Sequence, residues 1–94
     1  MGFARDRKKD RINQRKHRLS FETARRVFDD PFAVSFVERV VEGEERWHAI
    51  GSIGGVVLLL VVHTIEEYHG DEEIRIISAR KTNSRERALY ETAY

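Results

Sequence analysis

The feature that most constrains the fold is an uninterrupted apolar run near the middle of the chain, VVLLLVVHT at positions 56–64. A run of this kind predicts a central β-strand that is covered on both faces. It is too short to cross a bilayer, which needs about 20 residues. The 94 residues of the chain leave room for one core. We therefore expect a single domain, residues 1–94, built around this strand.

The other strands are predicted from β-rich segments and from the turn residues between them. Two hairpin signals, one around Gly43 and one at Gly54-Gly55, separate the first three strands. A longer acidic loop, 65–73, is expected before the last strand. The four predicted strands are residues 32–37, 46–51, 56–64 and 74–80.

Helices are predicted before the first strand and after the last strand in the sequence. Residues 6–17 form a basic helix with few apolar anchors, and Ser20 caps a second helix that ends before Pro31. A short helix follows the last strand. The expected fold class is α+β, with two N-terminal helices packed on a four-stranded antiparallel β-sheet and a short C-terminal helix.

Charge is distributed unevenly, although the net charge is only +1. The residues before Val27 are strongly basic, the middle of the chain is acidic, and residues 75–87 are basic again. This separation predicts a surface that faces a polyanion, although a charge run alone is more often a solvated face. The chain has no cysteine, which excludes disulfides and thiol chemistry and fits a reducing cytoplasm. No apolar leader and no membrane segment are expected.

The segment IRIISARKTNSRERALYE, at 74–91, places two cations beside the start of a helix. A short strand ends at Arg80 and Lys81, and Asn83 is among the residues that can cap the helix that follows. Arg80 carries a planar fork that matches the oxygens of a phosphate or a carboxylate. The alternative, that both cations are solvated charges at a strand end, is equally compatible with their spacing.

The hairpins also predict which side chains share a face of the sheet. If both hairpins close tightly, cross-strand partners lie on one face, and a slip of one residue in either would reverse the grouping. The alternative is that His48 and His63 are ordinary strand histidines. The predicted first face carries Arg46, His48, His63 and Arg75, and the second carries Trp47, Leu58, Leu60, Ile76 and Arg80.

Four segments, read together, resemble one known family: RKHRLSFETARRVFDDP at 15–31, EERWHAIG at 44–51, VVHT at 61–64 and the segment at 74–91. The family is BrnT, the toxins of type II toxin–antitoxin pairs. The resemblance implies a fold like that of RelE-type ribonuclease toxins. It also implies a metal-independent endoribonuclease that cleaves RNA and inhibits translation without a cofactor. The implied partner is a BrnA-like antitoxin with a ribbon-helix-helix domain, through which the complex binds DNA and represses its own promoter.

Metal-independent RNA cleavage needs a base, an acid and cations that stabilise the developing phosphorane. Histidine suits the proton-transfer roles, and His17, His48 and His63 are candidates, of which His17 and His63 match family positions. No metal site is expected, because the histidines lack metal-ligand spacing. The predicted catalytic residues are Lys9, His63 and Arg80, and the predicted RNA-binding residues are His17, Arg46, Arg75 and Lys81.

Two departures from the family pattern affect these expectations. Arg18 replaces the usual Gly after Lys16-His17, which implies a different or more strained link between the helices. Many family members carry an Arg after the dipeptide that matches His63-Thr64, whereas Ile65 and two glutamates follow here. An alternative function is therefore a catalytically weak binding module that holds its antitoxin in a DNA-bound autorepressor complex. A third interpretation makes helix 6–17 a direct DNA-binding element.

Overall fold

The structure is a computed structural model that describes residues 2–93. Within that range the strands form one sheet in the order β1-β5-β4-β3-β2; β1 runs parallel to β5, and the other neighbours are antiparallel. None of the described helices is long and apolar enough to cross a membrane. The elements are β1 (Gly2–Ala4), α1 (Arg7–His17), α2 (Phe21–Ala24), a 3-10 helix (Arg25–Asp29), β2 (Val34–Val41), β3 (Glu44–Ile53), β4 (Val57–Tyr68), β5 (Asp71–Lys81) and α3 (Ser84–Thr92).

The expectation of two N-terminal helices on a four-stranded sheet is wrong in two respects. First, β1 adds a fifth strand, because Gly2, Phe3 and Ala4 pair in parallel with β5. A strand of three residues is too short for a periodic pattern, and its partner lies at the far end of the sequence. Second, the expected second helix is a single α-helical turn that continues as a 3-10 helix.

The prediction that the apolar run forms the central strand is confirmed, because β4 is the middle strand of the sheet. Leu59 and Val61 are fully buried on the face that is covered by α2 and the 3-10 helix. Leu60 is also buried but points to the opposite face, as its cross-strand partner Arg80 does. The main core cluster contains Phe21, Ala24, Val27, Ala49, Leu59, Val61, Ile74, Ile76 and Ala79.

The segment 65–73 is not the expected loop, because it extends β4 and β5 into a tight hairpin. The turn residues His69 and Gly70 have φ values of 52° and 87°, as a hairpin turn with two left-handed residues requires. The usual sequence signals for such a turn are Asn-Gly and Asp-Gly. His-Gly does not resemble them, and the acidic residues around it have low β propensity.

Helix α1 is closed at both ends by specific hydrogen bonds. The side chain of Asp6 accepts from the backbone N–H groups of Lys8 and Lys9, at 2.9 and 3.1 Å. At the other end, Arg18 adopts the left-handed conformation, with φ of 57°, and its N–H bonds to Gln14 O. This conformation costs a non-glycine residue free energy, so of the two outcomes expected at Arg18, a different or a more strained link, the structure shows the strained one.

Candidate active site

A groove of about 500 Å³ lies between α1 and β5. One wall consists of α1 side chains at the spacing of a single helical face, and the other consists of β5 side chains near the end of the strand. Half of the groove residues are basic, and none of the described residues that line it is a carboxylate. The lining residues are Lys9, Ile12, Asn13, Lys16, His17, Ile77, Ser78 and Arg80.

Two buried polar residues fix the rotation of α1 against the sheet. Asn13 Oδ1 accepts from the N–H of Ala79 at 3.0 Å, and Asn13 Nδ2 donates to Leu19 O at 2.8 Å. Asp10 Oδ1 accepts from the N–H of Phe21 at 2.9 Å. Because β1 pairs only with the first part of β5, Asn13 satisfies a backbone donor that would otherwise be unpaired at the sheet edge. The basic side chains of the helix therefore border the groove.

Arg80 lies at the end of β5, and α3 holds its guanidinium. Nη1 and Nη2 each donate to one carboxylate oxygen of Glu86, both at 2.8 Å, and Nη1 also donates to Lys81 O at 3.1 Å. The hydrogen bonds to Glu86 raise the pKa of Arg80; burial opposes this shift and the charge of Glu86 adds to it. The same bonds lower the pKa of Glu86. Both groups are thus charged at neutral pH.

Helix α3 is fastened at both ends. At its start, Asn83 Oδ1 accepts from the N–H of Glu86, and Glu86 Oε1 accepts from the N–H of Asn83, which is a capping box. Near its other end, the hydroxyl of Tyr90 donates to Asp30 Oδ2 at 2.7 Å. Asp30 also accepts from the N–H of Ser52. Burial alone would raise the pKa of Asp30, but these hydrogen bonds lower it.

The structure brings some of the predicted site residues together and separates others. Lys9, His17 and Arg80 all line the groove. Arg46 and Arg75 share the sheet face of Arg80 but do not line the groove. Lys81 pairs with Leu59, so its side chain is on the face opposite that of Arg80.

His63 lies in the interior rather than in the groove, and its side chain is 1% exposed. The imidazole packs edge-on against Phe28, with ring centroids 5.0 Å apart, and parallel to Trp47 at 6.4 Å. Neither ring nitrogen has a hydrogen-bond partner in the described structure. Burial lowers the pKa of His63 to about 4; the nearby backbone of Thr64 opposes this shift and the charge of His48 adds to it. This environment does not support the predicted catalytic role.

The predicted face grouping is wrong for Leu58, Leu60 and His63 on β4 and for Arg80 on β5. His63 pairs with Trp47 and Ile76, and so shares their face, whereas His48 pairs with Val62 and faces the other way. For Arg80 the cause is an irregularity of β5 between Ile76 and Ser78, where Ile77 has no partner on β4. For the residues of β4 the cause is the hairpin between β3 and β4, in which Ile53 pairs with Val57. Three residues therefore lie in the loop, one more than in the tight turn that was expected, and a shift of one residue reverses every side chain.

The residues that replace the family arginine are remote from the groove. Ile65 packs against the core cluster, and Glu66 pairs with Glu73 on β5. Arg80 follows Glu73 by seven positions, which corresponds to roughly 23 Å of extended strand. Glu66 and Glu73 thus form an acidic hairpin tip, together with Glu67, Asp71 and Glu72. These carboxylates do not border the groove.

Sequence reasoning assigned no role to Lys16 or Glu86. Lys16 follows Lys9 by seven residues, the spacing that places two side chains on one helix face, and this could have identified it. The signal for Glu86 was its position three residues after Asn83, which is typical of a capping box. Its contact with Arg80 depends on the turn between β5 and α3 and has no local signature.

The sheet, the helix along its edge and the cationic groove define a small α+β protein that is suited to binding an anion. Residues 6–86 match the model of the family described as the ribonuclease toxin, BrnT, of type II toxin–antitoxin systems. The chain therefore belongs to the BrnT family of type II toxin–antitoxin ribonuclease toxins.

The fold is similar to that of a solved member of this family. The 1.1 Å crystal structure of the ribonuclease toxin BrnT from Brucella abortus matches with a TM-score of 0.61 and 23% sequence identity. The match covers 89% of this chain and 96% of the Brucella chain. At this identity the likeness establishes the fold alone. No curated protein sequence gives a significant match.

Proposed function

We propose that this protein is a metal-independent endoribonuclease that cleaves RNA in the groove between α1 and β5. The observation that carries the proposal is the composition of the groove, in which Lys9, Lys16, His17 and Arg80 converge without a carboxylate among the described lining residues. Clustered cations attract a polyanion and can hold a phosphodiester. Membership of a family of ribonuclease toxins supports the same substrate class.

The groove side chains suit cleavage by the 2′-hydroxyl of the RNA. This oxygen attacks the adjacent phosphorus, its proton passes to a base, and the 5′ oxygen leaves with a proton from an acid. An imidazole exchanges protons near neutral pH, and His17 is the histidine that borders the groove, half-buried at the end of α1. The ammonium groups of Lys9 and Lys16 and the guanidinium of Arg80 stabilise the charge that develops on the phosphorane.

We propose that a BrnA-like ribbon-helix-helix antitoxin neutralises this activity in the cytoplasm and supplies the DNA contact of the complex. The solvent-facing side of α1 carries exposed cations, among them Arg7, Lys8, Arg11 and Arg15. An acidic segment of the antitoxin would complement this surface and cover the groove beside it. Binding should then weaken as salt is raised, because such contacts are screened. Equal affinity at low and high salt would exclude an electrostatic interface.

A second candidate function is a catalytically weak binding module that keeps the antitoxin in an autorepressor complex. Two observations favour it. Both terminal nitrogens of Arg80 are already bonded to Glu86, and the position where many relatives carry an arginine is Ile65, which packs against the core. In this case Arg80 would serve the structure and not the substrate.

The two functions are separated by an RNA cleavage assay on the purified chain, with EDTA present. The ribonuclease proposal predicts fragments that end in a 2′,3′-cyclic phosphate. Arg80→Ala and Lys9→Ala should each reduce the rate about 100-fold, since each removes a cation from the phosphorane site. Arg39→Ala, which removes an exposed arginine from the edge strand β2, is the matched control and should retain activity.

Folding of each variant is checked by circular dichroism, because Arg80→Ala leaves Glu86 without its ion-pair partner. Absence of cleavage by folded wild-type protein that still binds its antitoxin would reject the nuclease and support the binding module. Tight, salt-sensitive binding of DNA by the chain alone would instead favour α1 as a DNA-binding element.

A further inference from the structure

The geometry points to Glu86 as a positioning residue, which holds one edge of the Arg80 guanidinium so that the other edge can receive an RNA phosphate. This inference rests on the proposed ribonuclease function and deepens it. It assigns the ion pair to the active site, whereas the binding-module interpretation treats the same ion pair as structural.

The hydrogen bonds of Arg80 divide its donors into two sets. The carboxylate of Glu86 accepts from the two terminal nitrogens, with Nη1 and Nη2 each 2.8 Å from one of its oxygens. The second hydrogen of Nη1 is directed to Lys81 O at 3.1 Å. In the described structure Arg80 Nε donates no hydrogen bond, and Nη2 retains one hydrogen that is not used. These two donors lie side by side, which is the arrangement that binds two oxygens of one phosphate.

Glu86 can hold this arrangement because it is itself immobilised. Its carboxylate accepts from the N–H of Asn83 at 3.0 Å, and its own N–H donates to Asn83 Oδ1 at 2.9 Å. The side chain of Glu86 is only 13% exposed. The orientation of the guanidinium is therefore set during folding and not when the substrate binds.

The ion pair on the edge strand provides a contrast within the same molecule. Glu38 and Arg39 are neighbours in sequence, and their contact is a single hydrogen bond from Arg39 Nε at 2.7 Å. The side chain of Arg39 is 68% exposed and that of Glu38 is 36% exposed. Such a pair leaves the guanidinium free to rotate. The pair of Arg80 and Glu86 is bidentate, half-buried and connected to a helix cap, as a positioned group requires.

The charge of Glu86 leads to a specific kinetic expectation. The carboxylate offsets the charge of Arg80, so the net positive charge of the groove comes from Lys9 and Lys16. Removing the negative charge should therefore strengthen the attraction for RNA while the guanidinium loses its fixed orientation. A positioning role thus predicts that kcat falls while KM does not rise. A residue that only stabilises the fold would not produce this combination.

Glu86→Gln is the decisive variant, because glutamine has the same length and can also complete a capping box. We expect kcat for an RNA oligonucleotide to fall about 10- to 100-fold, the range for a misplaced catalytic group. KM should be unchanged or lower. Tyr90→Phe is the matched control, since it loosens the other end of α3 without altering Glu86, and its kcat should stay within about twofold of wild type.

A second measurement reports on the guanidinium directly, whether or not RNA is cleaved. In wild-type protein, NMR of Arg80 should show slow rotation of the terminal nitrogens. The Nε–H signal should shift when an oligonucleotide with 2′-deoxyribose at the cleavage position is added. Glu86→Gln should give fast rotation and a smaller shift.

The possible failures can be told apart. Wild-type kcat in Glu86→Gln, a higher kcat, or an equal loss in Tyr90→Phe would each overturn the positioning role. Rapid rotation of Arg80 in wild-type protein would also overturn it. If wild-type protein does not cleave RNA, the ribonuclease proposal fails. In that case an Nε–H shift that depends on Glu86 would still support phosphate positioning, and no shift would reject both.

Discussion

His63 on β4 and Arg80 on β5 are basic residues in neighbouring strands, yet they lie in opposite environments. His63 is enclosed between Phe28 and Trp47, is 1% exposed and has no hydrogen-bond partner at either nitrogen. Arg80 is half-buried, borders a groove and donates to Glu86 through two nitrogens. Both matched family positions in sequence, so the match did not distinguish a core residue from a groove residue.

The difference follows from how each charge is compensated. A buried imidazole without an acidic partner avoids the cost of burying a charge by remaining neutral, so burial lowers the pKa of His63 to about 4. A guanidinium cannot lose its proton in this way. Arg80 is therefore found where a carboxylate and solvent both reach it. A candidate catalytic cation should likewise have a carboxylate partner and contact with solvent.

The largest expected effect is a loss of stability in acid, caused by His63. Its folded-state pKa is about 4 and its ordinary value is 6.5, so the unfolded chain binds a proton first as the pH falls. Above pH 6.5 His63 is neutral in both the folded and the unfolded chain, and the free energy of unfolding has its full value. Between pH 6.5 and pH 4 only the unfolded chain takes up the proton, so the free energy of unfolding falls. The loss should amount to about 3 kcal/mol. Urea unfolding from pH 7.5 to pH 4 measures it.

His63→Leu should flatten the stability profile in this window, because leucine does not titrate. The control is His69→Asn, since His69 is exposed and left-handed and asparagine tolerates that conformation. Carboxylates with lowered pKa values, such as Asp30, contribute mainly below this window and are common to both variants. Equal slopes in His63→Leu and His69→Asn would show that His63 does not account for the acid sensitivity.

The next largest effect concerns the shape of the Arg80 side chain. Arg80→Lys retains the positive charge but loses the planar fork, so it can no longer bind Glu86 and a phosphate through separate edges. We expect single-turnover RNA cleavage to slow about 100-fold, as for the loss of one transition-state donor. Activity close to that of wild type would mean that charge alone matters at this position.

The smallest effect tests the edge of the groove. Lys16→Gln removes one phosphate contact, so RNA affinity should fall about threefold at moderate salt and the salt dependence should decrease by about one ion. Arg39→Gln removes the same charge from β2, outside the groove, and is the control. If both variants weaken binding equally, net charge and not the groove determines RNA affinity.

The local features of this fold could largely be predicted from the sequence. The apolar run identified β4 as the central strand, and Ser20 and Asn83 each cap the helix that follows them. The departure at Arg18 indicated a different or more strained link, and Arg18 adopts the left-handed conformation. These features depend on neighbouring residues alone, which is why local patterns reveal them.

Features that depend on pairing between residues far apart in the sequence could not be predicted from local patterns. The strand β1 exists only because β5 provides a partner. One additional residue in the loop between Ile53 and Val57 determines whether His63 faces the core. For the site, the resemblance named Lys9, His17 and Arg80, which do converge, while the contact between Arg80 and Glu86 required the tertiary structure.

Strand β5 begins with Asp71, Glu72 and Glu73 and ends with Arg80 and Lys81. A single strand thus has negative charge at one end and positive charge at the other, roughly 30 Å apart. In the field of an approaching polyanion this dipole experiences a torque that turns the groove forward and the hairpin tip away before contact. Association should therefore be fast at low ionic strength and become markedly slower as salt screens the field.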